Sequence, residues 1–272
     1  MHKPFIAYLH KQVQDRHAVY LPPELLEKVK GKGKILIRFG QRKGVAVVKA
    51  SRRPGHVYLS QHLMEALKIP FEQKVCFSIR ENQLAIGPLV GLMLADTPHE
   101  GDSPYPRHPA WITRYLLAGK IVPSFYFLFH PQDMDYAAGE INAYFLVSDT
   151  GKGRWQRFRV PFPDVVYNRV MNRIQERSPS VRLAKSLFSK RNIPFFNPDF
   201  FNKWTIYERI SADPRAWDYL PETVFNPNMA QISNLLKRYP MIYLKPSSGS
   251  LGLGIAQLYR LPGKGYYLRY RR

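Results

Sequence analysis

The stretch that decides the interpretation of this chain is YPMIYLKPSSGSLGLGIAQLYRL, residues 239–261. An apolar run ends at Lys245 and Pro246, a loop rich in serine and glycine follows, and an alternating apolar run then resumes. The alternation predicts a strand, so the loop would join two antiparallel strands. A backbone with few side chains can fold its N–H groups over phosphate oxygens, and a nearby ammonium adds charge. The pattern predicts a nucleotide phosphate site, with an ordinary flexible hairpin as the alternative.

Two better-known phosphate loops do not fit this stretch. A P-loop ends in Gly-Lys-Ser/Thr and runs into a helix, whereas here Lys245 precedes the glycines. A dinucleotide-binding fingerprint also needs a following helix. The loop is longer than the two to five residues that usually close a hairpin. Ordering such a loop costs conformational entropy, which favours a functional reason for its length.

The charge of the chain is strongly positive. Its 272 residues carry a formal net charge of +21, and the segment 28–53 holds ten Lys or Arg without one acidic residue. Such an excess attracts polyanions, including nucleic acid, acidic surfaces and phosphate-rich ligands. A solvated basic surface without a dedicated partner remains the alternative. Because no nucleic-acid-binding motif is present, specific nucleic-acid binding is disfavoured.

Composition excludes several classes of protein. With 45% hydrophobic residues the chain can form real cores and has room for two or three domains. The single cysteine, Cys76, excludes a disulfide framework and a four-cysteine zinc site. No apolar run reaches about 18 residues and no signal peptide is recognisable, so we expect no membrane span and synthesis in the cytoplasm.

The N-terminal third is predicted to be a small β-barrel-like domain, residues 1–93. Alternating runs such as KILIRFG and GVAVVKAS indicate strands, and a short helix over 61–69 is expected to be capped by Ser60. Residues 94–110, with four prolines, are interpreted as a linker. This segment also contains four possible metal ligands that lack helical ligand spacing, so a polar loop is favoured over a metal site: His99, Glu100, Asp102 and His108.

Residues 111–200 mix helical and strand patterns and are predicted to be an α/β domain. An amphipathic helix is expected over 163–178, with Arg169, Arg173 and Arg177 as a basic stripe that could line a phosphate pocket or face solvent. In residues 201–272 we expect a helix capped by Asn202, a second helix from Asn228, and three strands around the glycine loop.

Several motifs together resemble the YheC/YheD family of endospore coat-associated proteins, whose C-terminal part is similar to ATP-grasp ligases. The segments that carry this resemblance extend over most of the chain: LAIGPLVGLML (84–94), FRVPFPDVVYNRV (158–170), FNPDFFNKWTIYERISADPRAWDYLPET (196–223) and IYLKPSSGSLGLGI (242–255). Each motif is weak alone, but the set is specific.

The resemblance implies a multidomain α+β and α/β fold. Residues 1–93 would be an accessory β domain, 111–200 the α/β domain that precedes ATP-grasp, and 201–272 the first part of an ATP-grasp fold. ATP would lie between two lobes, held by Lys203 and Lys245. A flexible flap over its phosphates would be formed by Ser247, Ser248, Gly249, Ser250 and Gly252.

The sequence departs from the family pattern after the loop. Residues 253–272 contain no Asp, Glu or Asn, whereas the resemblance places the Mg²⁺ ligands and the adenine-binding hinge beyond this segment. We therefore expect a fragment or a truncated product without its own metal ligands, with Mg²⁺ bound only in a full-length form. Whether it is an enzyme stays open.

The sequence thus predicts an endospore coat-associated, ATP-grasp-like nucleotide-binding protein that is catalytically incomplete in this chain. Its expected partners are a nucleotide and other spore coat proteins. The alternative is a basic structural or adhesion protein that binds an anionic surface or nucleic acid, since basic and aromatic residues alternate in YYLRYRR and GKGRWQRFR.

Overall fold

The computed structural model describes residues 4–29, 33–95, 110–147, 153–249, 252–261, 263 and 265–270. Their contacts divide the chain into unit 1, Met1–Pro198, and unit 2, Asp199–Arg272. The four-part division expected from the sequence is finer than this and stays a prediction. None of the described helices is long and apolar enough to cross a membrane.

Unit 1 contains fourteen strands, five α-helices and one 3₁₀ turn among its described residues: β1 (Phe5–Gln12), β2 (Ala18–Leu21), α1 (Pro23–Leu26), β3 (Lys34–Phe39), β4 (Arg42–Ala50), β5 (His56–Ser60), α2 (Gln61–Leu67), β6 (Gln73–Arg80), β7 (Gln83–Ile86), β8 (Leu89–Met93), α3 (Ala110–Ile121), β9 (Phe125–Phe129), the 3₁₀ turn (Pro131–Asp133), β10 (Met134–Asp135), β11 (Glu140–Val147), β12 (Arg154–Pro161), β13 (Val165–Asn168), α4 (Arg173–Glu176), α5 (Pro179–Lys190) and β14 (Phe195–Phe196). Unit 2 follows with α6 (Lys203–Ser211), a 3₁₀ turn (Pro214–Tyr219), α7 (Met229–Arg238), β15 (Met241–Leu244), β16 (Ala256–Leu261) and β17 (Gly265–Tyr270).

The first seven strands close into a barrel in the order β1-β5-β2-β4-β3-β7-β6. Closure comes from the antiparallel pairing of β1 with β6, while β1–β5, β2–β4 and β3–β7 are parallel pairs. Alternate residues such as Leu9, Ile37 and Val57 are completely buried inside. The small barrel predicted from the alternating pattern is confirmed, whereas its separation as a domain of residues 1–93 stays a prediction.

Helix α2 forms where the sequence predicted it, but the capping prediction for Ser60 is wrong. Ser60 occupies the position before the helix, yet its side chain accepts no hydrogen bond from the first turn. The buried hydroxyl instead donates to the Arg16 carbonyl at 2.8 Å and accepts from the Ala18 amide. Ser60 also ends β5, so its side chain serves contacts within the barrel.

A second sheet runs in the order β10-β11-β9-β8-β13-β14, and β12 pairs with β11. Three strands lie between residues 73 and 93: β6, β7 and β8. The third, β8, leaves the barrel after Gly87 and Pro88 and joins the second sheet between β9 and β13. Proline has no N–H to continue a ladder, which fits a change of sheet at this point.

The amphipathic helix predicted over 163–178 is wrong. Val165–Asn168 is the strand β13, parallel to β8, and only Arg173–Glu176 forms a helical turn. The β-branched and aromatic residues of VVYN fit a pleated, half-buried surface, and Val166 is completely buried there. The regular spacing of the three arginines therefore does not produce a basic helical stripe.

The barrel and the second sheet share one hydrophobic core. Phe39 of the barrel meets Phe125 of β9 edge to face, with ring centroids 5.1 Å apart. Phe71 contacts Phe125 and also Phe145 and Phe158 of the second sheet. Unit 1 is therefore held together by aromatic packing across the two sheets.

Unit 2 is much less buried than unit 1. Among its described residues only Leu236 of α7 falls below one tenth exposure. Strands β15, β16 and β17 form an antiparallel sheet in that order, as the sequence predicted. All six residues of β17 are exposed, and β17 pairs with β16 on one side.

We expect Gly40→Ala to destabilise unit 1 strongly. Gly40 has φ +52°, and a Cβ there would lie 2.5 Å from the Phe162 carbonyl oxygen. Backbone strain and the collision together should lower the free energy of unfolding by about 2–4 kcal/mol. Gly55→Ala is the matched control: φ is +70° but its Cβ would meet nothing within 4 Å, so the loss should be about 1 kcal/mol. Urea unfolding of both variants measures this, and equal losses would contradict the collision.

A stacked ladder of rings covers part of the outer barrel wall. Tyr8, His10, His56 and Tyr58 stack across β1 and β5. His10 Nε2 lies 2.8 Å from His56 Nδ1, and His10 Nδ1 lies 3.2 Å from a Glu72 oxygen. Partial burial, followed by the positive charge of Arg53 and the neighbouring His10, lowers the pKa of His56 below its ordinary 6.5.

Acidification should therefore destabilise the barrel. Because the pKa of His56 is lower in the folded state, the unfolded chain binds a proton more readily, so stability falls as pH drops through and below 6.5. The melting temperature should decrease between about pH 7.5 and about pH 5.5. His56→Asn keeps a polar partner for His10 without a titrating ring, so it should show a smaller decrease. An unchanged pH dependence in this variant would exclude His56 as the source.

Candidate functional site

The glycine loop between β15 and β16 is attached to the N-terminus of helix α6. The Lys203 amide donates to the Ser247 carbonyl at 2.8 Å. The Lys203 ammonium donates to two further carbonyls of the loop, Pro246 at 3.2 Å and Gly249 at 3.0 Å. Three hydrogen bonds from one residue therefore fix where the start of the loop lies.

Asn202 holds the same junction from the side of the helix. Its Oδ1 accepts from the amides of Trp204 and Thr205, which confirms the predicted cap of α6. Its Nδ2 donates to Ser248 Oγ at 3.2 Å. One asparagine thus caps the helix and ties the loop to it.

Positive φ angles favour glycine at three described positions of the loop: Gly249, Gly252 and Gly254. Gly249 has φ +151°, and a Cβ there would approach the Lys203 ammonium to 3.9 Å. Gly254 has φ +70°, and a Cβ there would lie 2.9 Å from the Pro246 ring. Substitution at Gly254 would therefore displace the proline whose carbonyl accepts from Lys203.

Backbone donors in the first half of the loop remain available. The amides of Ser247, Ser248 and Gly249 donate no hydrogen bond to any group that the structure describes. Successive free N–H groups beside an ammonium are the usual ingredients of an oxyanion site. The arrangement can therefore accept phosphate oxygens at this end of the loop.

Lys245 directly follows β15 and is exposed. Its ammonium is 5.4 Å from the centre of the Tyr243 ring and forms no ion pair within the described residues. Its charge is therefore available to a ligand. The ring of Tyr243 steadies the long side chain through a cation–π contact.

Most of the site residues predicted from the sequence lie at this junction. The structure brings Lys203 together with Ser247, Ser248 and Gly249, while Gly252 turns the loop toward β16 and accepts from the Ile255 amide. Lys245 makes its described contact with Tyr243 instead. Ser250 lies outside the described residues. The four possible metal ligands of the segment 94–110 also lie outside them: His99, Glu100, Asp102 and His108.

Sequence reasoning missed the role of two residues. Asn202 was expected only as a helix cap, and Pro246 only as the end of a strand, yet both anchor the loop. The sequence did contain a signal for these contacts. A capping asparagine directly precedes a lysine, and a serine-rich loop lies elsewhere in the chain. This signal did not reveal the contact because the partners are more than forty residues apart in sequence.

The carboxylates of unit 2 with resolved pKa shifts are engaged elsewhere. Hydrogen bonds from Arg238 and Tyr239 lower the pKa of Glu222, and Arg215 does the same for Asp213. No group of three or more His, Cys, Asp or Glu suited to a metal ion occurs in the described part of the chain. The site as described therefore offers cations and amides.

Comparison with known proteins assigns the segment that contains this site. Residues 192–272 match the family described as YheC/D like ATP-grasp. These residues belong to the YheC/D-like ATP-grasp family. The resemblance inferred from the sequence motifs is thereby confirmed.

One curated relative extends the match upstream of the ATP-grasp segment. The endospore coat-associated protein YheD of Bacillus subtilis (strain 168) is 31% identical to this chain over 208 residues. The match covers 76% of this chain and 45% of YheD, so the chain spans about half the length of that relative. No solved structure matches the chain.

The two functions of Asn202 can be separated by mutation. Asn202→Ala removes the cap and the tie to the loop, and should cost about 1 kcal/mol of unfolding free energy. Ser248→Ala removes only the tie, so stability should change by less than about 0.5 kcal/mol. In both variants the Lys203 amide should exchange hydrogen faster, because its bond to Ser247 loses support. Urea unfolding and hydrogen exchange measure these effects, and unchanged exchange in Ser248→Ala would show that the tie does not hold the loop.

Proposed function

We propose that unit 2 binds the phosphate groups of ATP through Lys203, Lys245 and the glycine loop. The observation that carries this proposal is the junction of the loop with helix α6, where the Lys203 ammonium contacts a loop segment whose amides at Ser247, Ser248 and Gly249 donate no hydrogen bond within the described residues. Membership of residues 192–272 in an ATP-grasp family supports it, since ATP-grasp proteins generally bind ATP with Mg²⁺. The loop residues proposed to contact phosphate are Ser247, Ser248, Gly249, Ser250 and Gly252.

Binding would require an exchange of partners at Lys203. The ammonium now donates to the neutral carbonyls of Pro246 and Gly249. Hydrogen bonds from a cation to anionic oxygens are roughly twice as strong as those between neutral groups. Phosphate oxygens would therefore replace the carbonyls, and the loop would move off Lys203 while its amides turn toward the ligand.

The residues described here fit the phosphates of ATP but not its metal ion. Mg²⁺ requires oxygen ligands in octahedral arrangement, mainly carboxylates and water beside the phosphates. Such a carboxylate cluster does not occur in the described residues. We therefore propose nucleotide binding, and no phosphoryl-transfer step, for the residues of unit 2 that the structure describes.

Association with the endospore coat is a separate proposal, and it rests on the similarity to YheD alone.

The alternative function is adhesion to an anionic surface or nucleic acid. It is favoured by the net charge of +21 and by the exposed basic residues of the barrel, such as Arg52 and Lys43. Adhesion of this kind depends on many charges and weakens steeply with salt. Nucleotide binding at one site depends instead on a few cations in defined positions.

Calorimetric titration with ATP and Mg²⁺ at constant ionic strength tests the proposal. Lys203→Met and Lys245→Met should each weaken binding by about tenfold or more, because each removes a charge-assisted hydrogen bond to phosphate. Lys237→Met, an exposed lysine of α7, is the matched control and should bind as the unaltered chain does. Circular dichroism verifies that Lys203→Met still folds despite its lost loop contacts.

Two results would contradict nucleotide binding. Equal weakening in all three variants would show that only total charge matters. A heat of binding that disappears with added salt but not with Lys245→Met would favour polyanion adhesion.

A further inference from the structure

An arginine in unit 1 is surrounded by aromatic rings at one edge of the second sheet. Arg169 directly follows β13, and its amide donates to the carbonyl of Met93, the last residue of β8, at 2.8 Å. Its guanidinium carbon lies 4.7 Å from the ring centre of Trp111, 5.1 Å from that of Tyr115 and 5.5 Å from that of Tyr167. The three rings hold the cation in place without neutralising its charge.

Among the described residues, the guanidinium of Arg169 has few acceptors. Its Nη1 donates to the Tyr167 hydroxyl at a long 3.4 Å, and its buried Nε has no acceptor in that part of the chain. Within the described residues it forms no ion pair. A guanidinium carries five N–H donors, and leaving buried donors unpaired is costly. Only Nε is buried in this way, so the Nη groups are the guanidinium donors that an added acceptor can reach.

The electrostatic surroundings of Arg169 also favour binding of an anion. Trp111 is the second residue of helix α3, so Arg169 lies beside the N-terminal end of that helix. The first turn of α3 contains no acidic residue. A helix N-terminus carries partial positive charge, so a cation next to it is unfavourable unless an anion lies between them.

The position in the fold is one where ligands commonly bind. Strand β8 has parallel neighbours on both sides, β9 and β13, and the chain reaches β9 through α3 before returning to the other side of β8. In open α/β sheets, ligands bind outside the carboxyl ends of the strands where the strand order reverses in this way. Arg169 lies at that end, next to Met93.

We propose that Arg169 anchors a small oxyanion, a carboxylate or phosphate group of a ligand, at the carboxyl edge of β8 and β13. Because Nε is sealed from solvent while the residue is only partly buried, the oxyanion meets the Nη nitrogens. The N-terminus of α3 adds its positive end to the same site. The site lies in unit 1 and does not depend on ATP binding by unit 2.

The test follows the arginine side-chain Nε–H signals by NMR during titration with sodium acetate or sodium phosphate, with chloride holding ionic strength constant. The signal that is missing in Arg169→Lys belongs to Arg169. We expect this signal to shift with saturation in the unaltered chain. Protection against thermal unfolding by the same anion should need at least about tenfold more anion in Arg169→Lys, because the geometry of charged hydrogen bonds is lost.

Arg114→Gln is the matched control. Arg114 is exposed on the same helix α3, so the substitution removes one charge nearby but should leave the saturating shift intact. If Arg169→Lys fails to fold, Tyr167→Phe identifies the signal instead, because it removes the hydroxyl that Nη1 contacts.

Each outcome decides the proposal. Saturation with acetate alone identifies a carboxylate site, saturation with phosphate alone identifies a phosphate site, and saturation with both supports a general oxyanion site. A linear shift shared by all arginines, or no shift of Arg169, would overturn the proposal and leave Arg169 with a purely structural role among its three rings.

Discussion

The Lys203 ammonium, held between the carbonyls of Pro246 and Gly249, is the interaction on which the arrangement of unit 2 depends. Unit 2 buries little apolar surface. The position of the loop therefore depends more on the hydrogen bonds at this junction than it would in a densely packed core. The same ammonium is the proposed phosphate ligand. Structural support and ligand binding therefore compete for one charge, which links the position of the loop to nucleotide occupancy.

Unit 1 is built on the opposite principle. Aromatic side chains of the barrel and of the second sheet interlock in one core, and polar contacts complete the joint. Asp164 accepts from Arg38 of the barrel and from the Leu89 amide, so one carboxylate connects β3 with the start of β8. A rigid frame of this kind suits the carboxyl edge of β8 and β13 as a fixed binding position.

Local patterns in the sequence predicted the elements whose cause is local. The hairpin around the glycine loop follows from alternation, and the start of α6 follows from a capping asparagine. The helix expected over 163–178 failed because a spacing of about four residues between arginines was given more weight than the strand preference of VVYN. For Ser60, the competing acceptor at Arg16 is remote in sequence and could not be anticipated.

One of the two candidate sites was predicted from the sequence and the other was not. The two lysines and the loop were predicted because their residue types and order carry the signal, and a family resemblance supplied their pairing. The cradle of Arg169 was not predicted, since Trp111 and Arg169 are far apart in sequence and meet only through the packing of α3 beside β13. Charge at residue 169 was noticed from the sequence, but its surroundings depend on tertiary structure.

Strand β17 affects how the protein should behave in solution. Its exposed residues include Tyr266, Leu268 and Tyr270. Within the described residues its other edge pairs with no strand, so its backbone groups can pair with a second chain. Mutual repulsion between molecules of charge +21 opposes such edge-to-edge pairing at low ionic strength. Added salt shortens the range of that repulsion to about 3 Å at 1 M. Concentrated salt should therefore promote self-association of this chain, and dilute buffers should keep it dispersed.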